Sequence, residues 1–170
     1  MPTLSTRKRL TFQTRKKMTD SEKPSVTPYE EVLRRDGRLI FTPGGTSMHP
    51  MLKSHENPVI ILPVTPDTRL KKYDVVFYRR KNGQYVLHRI VSCQKDGSFV
   101  MCGDGQYYTE KKVTRDMIFG ILEGYYKGEK YITLRGSFRY ALYSFFRVNT
   151  LPVRSFFYRL YKYICRRLKK

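Results

Sequence analysis

The chain has 170 residues, enough for one compact domain with a modest core plus tails. Its net charge of +20 is unevenly placed: residues 1–24 carry seven Lys/Arg against two acids, and residues 135–170 carry ten Lys/Arg and no acid, an excess that calls for an anionic partner, phospholipid or nucleic acid. The longest strongly apolar run, Val59-Ile60-Ile61-Leu62-Pro63-Val64, is far short of the roughly 20 residues that span a bilayer, and no charged segment followed by an apolar one opens the chain, so neither a membrane span nor a signal peptide is expected.

Cys93, Cys102 and Cys165 form no paired CxxC unit and fit no zinc spacing. Reduced thiols in an intracellular setting are expected, with no metal and no cofactor.

Residues 1–24 read as a disordered basic arm, polar and without a hydrophobic period, and Met18 is an alternative start within it. Thr27-Pro28-Tyr29-Glu30 is a helix-start signature, with Thr27 as cap, Pro28 at the first helical position and Glu30 completing a capping box; the helix should stop at Gly37. Strands are expected over Arg38–Thr42, Pro58–Leu62, Asp74–Arg79, Gln84–Ser92, Ser98–Met101, Ile118–Tyr126 and Lys130–Leu134. Asn82-Gly83 and Lys127-Gly128-Glu129 mark hairpins. Short strands with turns every 8–12 residues predict a mainly β fold, a barrel or sandwich, over residues 25–134.

After Leu134 the composition changes. Residues 135–170 hold ten of the 24 aromatic residues beside the ten cations. From Val153 the period is helical, with Val153, Phe157, Leu160, Ile164 and Leu168 on one face; Pro152 separates this helix from an earlier aromatic segment, Arg139 to Arg147. A cationic helix with such a face predicts an in-plane contact with anionic membrane. No helix-turn-helix or RNA-binding signature accompanies the charge, so nucleic acid is the less favoured partner.

The stretch that carries chemistry is Gly44-Gly45-Thr46-Ser47-Met48-His49-Pro50-Met51-Leu52. Glycines ahead of a serine permit positive φ and close approach of a ligand. Pro50 keeps His49 out of the helical region, so Ser47 should sit on a turn. On turn chemistry alone this is an ordinary Gly/Ser/Pro turn. It is followed, however, by Tyr73-Asp74-Val75-Val76-Phe77-Tyr78 with Val86-Leu87-His88-Arg89-Ile90-Val91, and then by Phe99-Val100-Met101-Cys102-Gly103-Asp104-Gly105. These three boxes, in this order, resemble those of the signal peptidase I and LexA-like serine peptidases across about residues 38–125.

The resemblance implies a coiled, mostly antiparallel β fold and a serine endopeptidase. Ser47 matches the nucleophile, and its backbone N–H would belong to the oxyanion hole. His88 stands where the bacterial enzymes place lysine and where the endoplasmic-reticulum and archaeal type places histidine, making this the Ser-His version. Alternating positions put Gln84, Val86, His88, Ile90 and Ser92 on one strand face, where an imidazole should titrate near neutrality. A histidine base needs an orienting acceptor. Asp104, in its glycine-flanked turn, is the favoured candidate and Glu110 the other. Gly45, Thr46 and Met48 are the expected oxyanion and substrate-binding neighbours, with Gly45 standing where several bacterial signal peptidases carry a hydroxyl. His49 and His55 match no box and read as surface residues.

The expected activity is cleavage of a leader or signal segment in a peptide or protein substrate, by an enzyme on the cytoplasmic side, peripheral to the inner membrane face. Two other readings are weighed. A self-cleaving LexA-like regulator would need a DNA-binding domain, for which the residues before the first strand are too few. A non-catalytic β scaffold would bind anionic membrane or nucleic acid through its basic tails.

Overall fold

The computed structural model describes residues 28–168; the basic arm and the Thr27 cap lie outside them. The first helix, α1 (Pro28–Asp36), ends at Gly37, whose φ of +64° lets the chain reverse and whose N–H closes on Leu33 O at 3.1 Å. Glu30 turns its carboxylate across to Tyr85 Oη, 2.8 Å, and to Arg79, 3.4 Å. Leu33 is buried beneath the helix.

Eight strands follow: β1 (Leu39–Phe41), β2 (Val59–Pro63), β3 (Val75–Arg79), β4 (Tyr85–Cys93), β5 (Phe99–Cys102), β6 (Glu110–Val113), β7 (Ile118–Lys127) and β8 (Lys130–Thr133). They form one antiparallel sheet in the order β1-β2-β7-β3-β4-β5-β6, with β8 also paired to β7. The sheet is open, because β1 and β6 each have a single neighbour; the fold is mainly β and not a closed barrel. Seven strands coincide with those expected to within two residues at each end. The eighth, β6, was not expected.

Strand alternation sends side chains to two faces, and each face has its own core. Val75, Phe77, Leu87 and Leu122 join Leu33, Leu39, Ile61 and the Met48-Met51-Leu52 side chains in one. Val76, Tyr78, Val86, Ile90, Met101 and Ile121 form the other. β4 therefore has buried residues on both faces, and this decides where its polar side chains go: His88 falls on the Val86/Ile90 side, Arg89 on the Leu87 side. Burying either residue has a cost unless a partner meets it.

Two helices complete the described chain, α2 (Phe138–Asn149) and α3 (Leu151–Leu168). Ser137 caps α2, its Oγ accepting from Tyr140 N at 3.3 Å. α3 begins at Leu151, two residues before the expected start, with Pro152 in its first turn, where a missing N–H costs nothing. Among the described residues no helix is long and apolar enough to cross a membrane.

Candidate active site

Ser47 lies on the expected turn. His49 N donates to Thr46 O at 3.0 Å and Leu52 N to Met48 O at 3.0 Å, while the Met48, Met51 and Leu52 side chains anchor the turn in the core. Met48 is thus held mainly by packing, 3 % exposed. Neither Gly44 nor Gly45 has a positive φ, contrary to expectation. A Cβ on Gly44 would lie 2.8 Å from the His55 ring, an exposed side chain free to swing aside, so space does not demand glycine there. A Cβ on Gly45 would meet nothing within 4 Å. His49 and His55 are exposed.

The loop after β5 packs tightly on the other side of this turn. Gly105 N donates to Ser47 O at 2.7 Å. A Cβ on Gly103 would sit 2.5 Å from Ser47 O, and one on Gly105 would sit 2.9 Å from Thr46 O. Both glycines are therefore demanded by close approach of backbone to backbone, and together they fix the height of the serine turn.

Ser47 and His88 line one groove of about 500 Å³, shared with Gly44, Gly45, Thr46 and Met48. Its apolar wall is Tyr29, Phe41, Phe77 and Tyr85, whose rings lie 5.1–6.0 Å apart in tilted, edge-on and stacked pairs. Among the described residues, neither Oγ nor N–H of Ser47 has a hydrogen-bond partner, so both are available to a ligand in the groove; Ser47 Oγ and His88 Nε2 are not bonded to each other.

His88 is 1 % exposed. Its Nδ1 lies 3.2 Å from Tyr78 Oη and 3.3 Å from Glu110 Oε1. Tyr78 Oη donates to Glu110 Oε2 at 2.9 Å, because an ionised carboxylate can only accept. The phenol proton being committed, Tyr78 Oη and Glu110 Oε1 both face Nδ1 as acceptors. That assigns the proton of a neutral imidazole to Nδ1 and leaves the lone pair on Nε2. Arg80 grips both oxygens of Glu110, Nε reaching Oε2 at 2.8 Å and Nη2 pairing with Oε1.

The charges follow from these contacts. Burial pushes the His88 imidazole down, Glu110 pulls it back up and Arg80 opposes that, leaving it at about 4 rather than near neutrality as expected. Burial pushes the Glu110 carboxyl up, but the bonds from Arg80 and Tyr78 outweigh it and the net shift is downward. Burial and Glu110 together push the Tyr78 phenol well above its usual range. At neutral pH the cluster is a neutral imidazole, an ionised carboxylate and an arginine.

Asp104, the favoured partner of His88, serves another residue. Arg89 Nε bonds Asp104 Oδ1 at 2.8 Å and Nη2 bonds Oδ2 at 2.7 Å, each side chain 1 % exposed, and Tyr143 Oη donates to Oδ2 at 3.0 Å. The registers explain the exchange. Arg89 pairs with Cys102, which places Asp104, two residues on, at the Arg89 side; Ile90, Met101 and Glu110 stand in one row across β4, β5 and β6, which places Glu110 at the His88 side. Arg89 Nη1 donates among Tyr73 O at 2.9 Å, Tyr140 Oη at 2.8 Å and Ser144 Oγ at 2.8 Å, and Nη2 also reaches Met51 Sδ at 3.2 Å. This buried pair docks α2 on the sheet, and Arg147 of α2 also donates to Asp104 O.

Tyr78 and Arg80 were not singled out from the sequence. A signal for Tyr78 existed: the Asn82-Gly83 hairpin sets Val76 opposite His88, which makes Tyr78 the diagonal neighbour on the same face. Of the three free cysteines Cys102 is buried, and burial pushes its thiol up to about 11, far from a thiolate nucleophile. Among the described residues no group of three or more His, Cys, Asp or Glu side chains could hold a metal.

Comparison with protein-family models and with curated proteins gives no match to this chain.

Proposed function

We propose that the protein is a serine endopeptidase of the signal peptidase I and LexA-like type, in its Ser-His form. The observation that carries this reading is the placement of Ser47 and His88 along one groove, with Nδ1 of His88 backed by Glu110 and Tyr78. Ser47 is the nucleophile, His88 the general base, Glu110 the acceptor that holds the tautomer, and the Ser47 N–H a donor to the oxyanion. The aromatic wall suits an extended peptide with apolar side chains next to the cut, as in a leader or signal segment.

In the first step Nε2 takes the Ser47 Oγ proton as Oγ bonds the scissile carbonyl carbon, and the carbonyl oxygen becomes the oxyanion. Collapse breaks the C–N bond, and the imidazolium returns its proton to the leaving amine. A water then attacks the ester, again through His88, releasing the acid and restoring Ser47. Glu110 steadies each imidazolium.

The test is to incubate wild type, Ser47→Ala and His88→Ala with a mixed peptide library and read new termini by mass spectrometry. Cuts made by wild type and lost in both variants support the peptidase. Cuts that persist in Ser47→Ala, or folded wild type that cuts nothing including the peptides encoded beside its gene, would sink it in favour of a binding scaffold.

A further inference from the structure

α2 and α3 each have a docked side and an outward side. On α2 the docked residues are Tyr140, Tyr143, Ser144 and Arg147, all engaged with the Arg89–Asp104 pair. At about 100° per residue, Phe138, Leu142, Phe145 and Phe146 fall on the opposite side, and all four are exposed, Phe138 at 78 %. Phe138, Leu142 and Phe146 border an open hollow of about 480 Å³.

α3 repeats the arrangement. Ser155 Oγ donates to Tyr107 O at 2.8 Å, Tyr158 stacks on Tyr107 at 4.4 Å and 9°, and Arg154 reaches Asp104 O at 3.4 Å. Opposite these contacts lie Val153, Phe157, Leu160 and Ile164, also exposed. The two outward faces give far more apolar side chain to solvent than a soluble surface ordinarily carries without a partner.

Charge chooses among the occupants. Residues 135–170 contain ten cations and no acid. Arg139, Arg159, Lys162 and Arg166 are exposed beside or behind the apolar arcs, where their stems can extend to a lipid headgroup while the helix face sinks into the acyl boundary. A second copy of this chain would set like charge against like charge. Nucleic acid would satisfy the arginines and leave the phenylalanines in water.

We propose that α2 and α3 form a docking surface for an anionic lipid bilayer, lying in its plane with Phe138, Phe146, Phe157 and Leu160 inserted. The sides that face inward hold Asp104 and Tyr107, and through Gly105 the Ser47 turn. The membrane contact and the candidate active site thus share one loop. The docking itself does not depend on the peptidase reading.

The experiment is co-sedimentation of the full chain with vesicles of phosphatidylcholine alone and with vesicles of phosphatidylglycerol and phosphatidylcholine in equal parts. Wild type should pellet with the anionic vesicles only, and added salt should weaken the binding. Replacing two exposed cations of the polar side, Arg159→Gln with Arg166→Gln, should weaken partitioning about thirtyfold, from about 1 kcal/mol for each cation at the surface. The apolar pair Phe157→Ser with Leu160→Ser should abolish pelleting without changing the unfolding midpoint, since both side chains are exposed. Absence of wild-type binding overturns the proposal. Binding that survives both double variants also overturns it, because the contact then lies elsewhere on this basic chain. So does a self-associated or nucleic-acid-bound form that the apolar pair alone disrupts.

Discussion

Glu110 Oε1 stands 3.3 Å from His88 Nδ1, while Asp104, the acid in the glycine-flanked turn, bonds Arg89 on the other side of β4. The two acids therefore have separable roles. Glu110→Gln places an amide donor within reach of Nδ1 and favours the wrong tautomer, so kcat should fall by about 10²–10⁴-fold with little change in KM. Steady-state kinetics on any peptide cut by wild type measures this.

Asp104→Asn should act first on stability. Removing one partner of a buried ion pair leaves the other uncompensated, a loss of about 3–5 kcal/mol. Chemical denaturation should show that loss for Asp104→Asn and for Arg89→Met. A double variant that removes both charges should recover part of it. Purely additive losses would mean that the pair is not coupled.

The division between these two acids was only partly legible in the sequence. Both were visible as candidates, but the assignment depends on β6, a strand reading Glu-Lys-Lys-Val with no apolar alternation. Its middle residues, Lys111 and Lys112, are exposed at the sheet edge, and Lys112 has a φ of +61°. Edge strands of this kind hide from hydrophobic patterning because only one residue in four is buried. The other strands were legible because apolar runs ended at strong turn signals such as Asn82-Gly83. The docking of α2 was not, since Arg89 gathers partners from Tyr73, Asp104, Tyr140 and Ser144, segments distant in sequence.

Gly103→Ala places a methyl group 2.5 Å from Ser47 O, against backbone that cannot swing away. It should cost about 1–3 kcal/mol. Gly45→Ala meets open space and should leave the unfolding midpoint within a degree or so of wild type, since surface changes are usually within about 0.5 kcal/mol. Thermal unfolding of the two variants side by side checks the contrast.

Burial of neutral His88 ties stability to pH. Its imidazole is held at about 4 in the fold against 6.5 when free, so between these values the unfolded chain binds the extra proton. Stability is then full above pH 6.5 and falls as pH drops toward 4, by up to about 3 kcal/mol from this group. His88→Gln should flatten that part of the profile, read as the difference in unfolding free energy between wild type and variant at pH 7 and pH 4.5.

At the centre of the proposed chemistry is a neutral imidazole with its proton on Nδ1 and its Nε2 lone pair open to the Ser47 groove. Nitrogen NMR of the labelled histidines reports both features at once. His88 should show a protonated Nδ1 and an unprotonated Nε2 at pH 7, unchanged down to about pH 5. A proton on Nε2 at pH 7 would contradict it and remove His88 as the base, whereas a titration near 6.5 would contradict the buried, lowered imidazole while leaving a competent base.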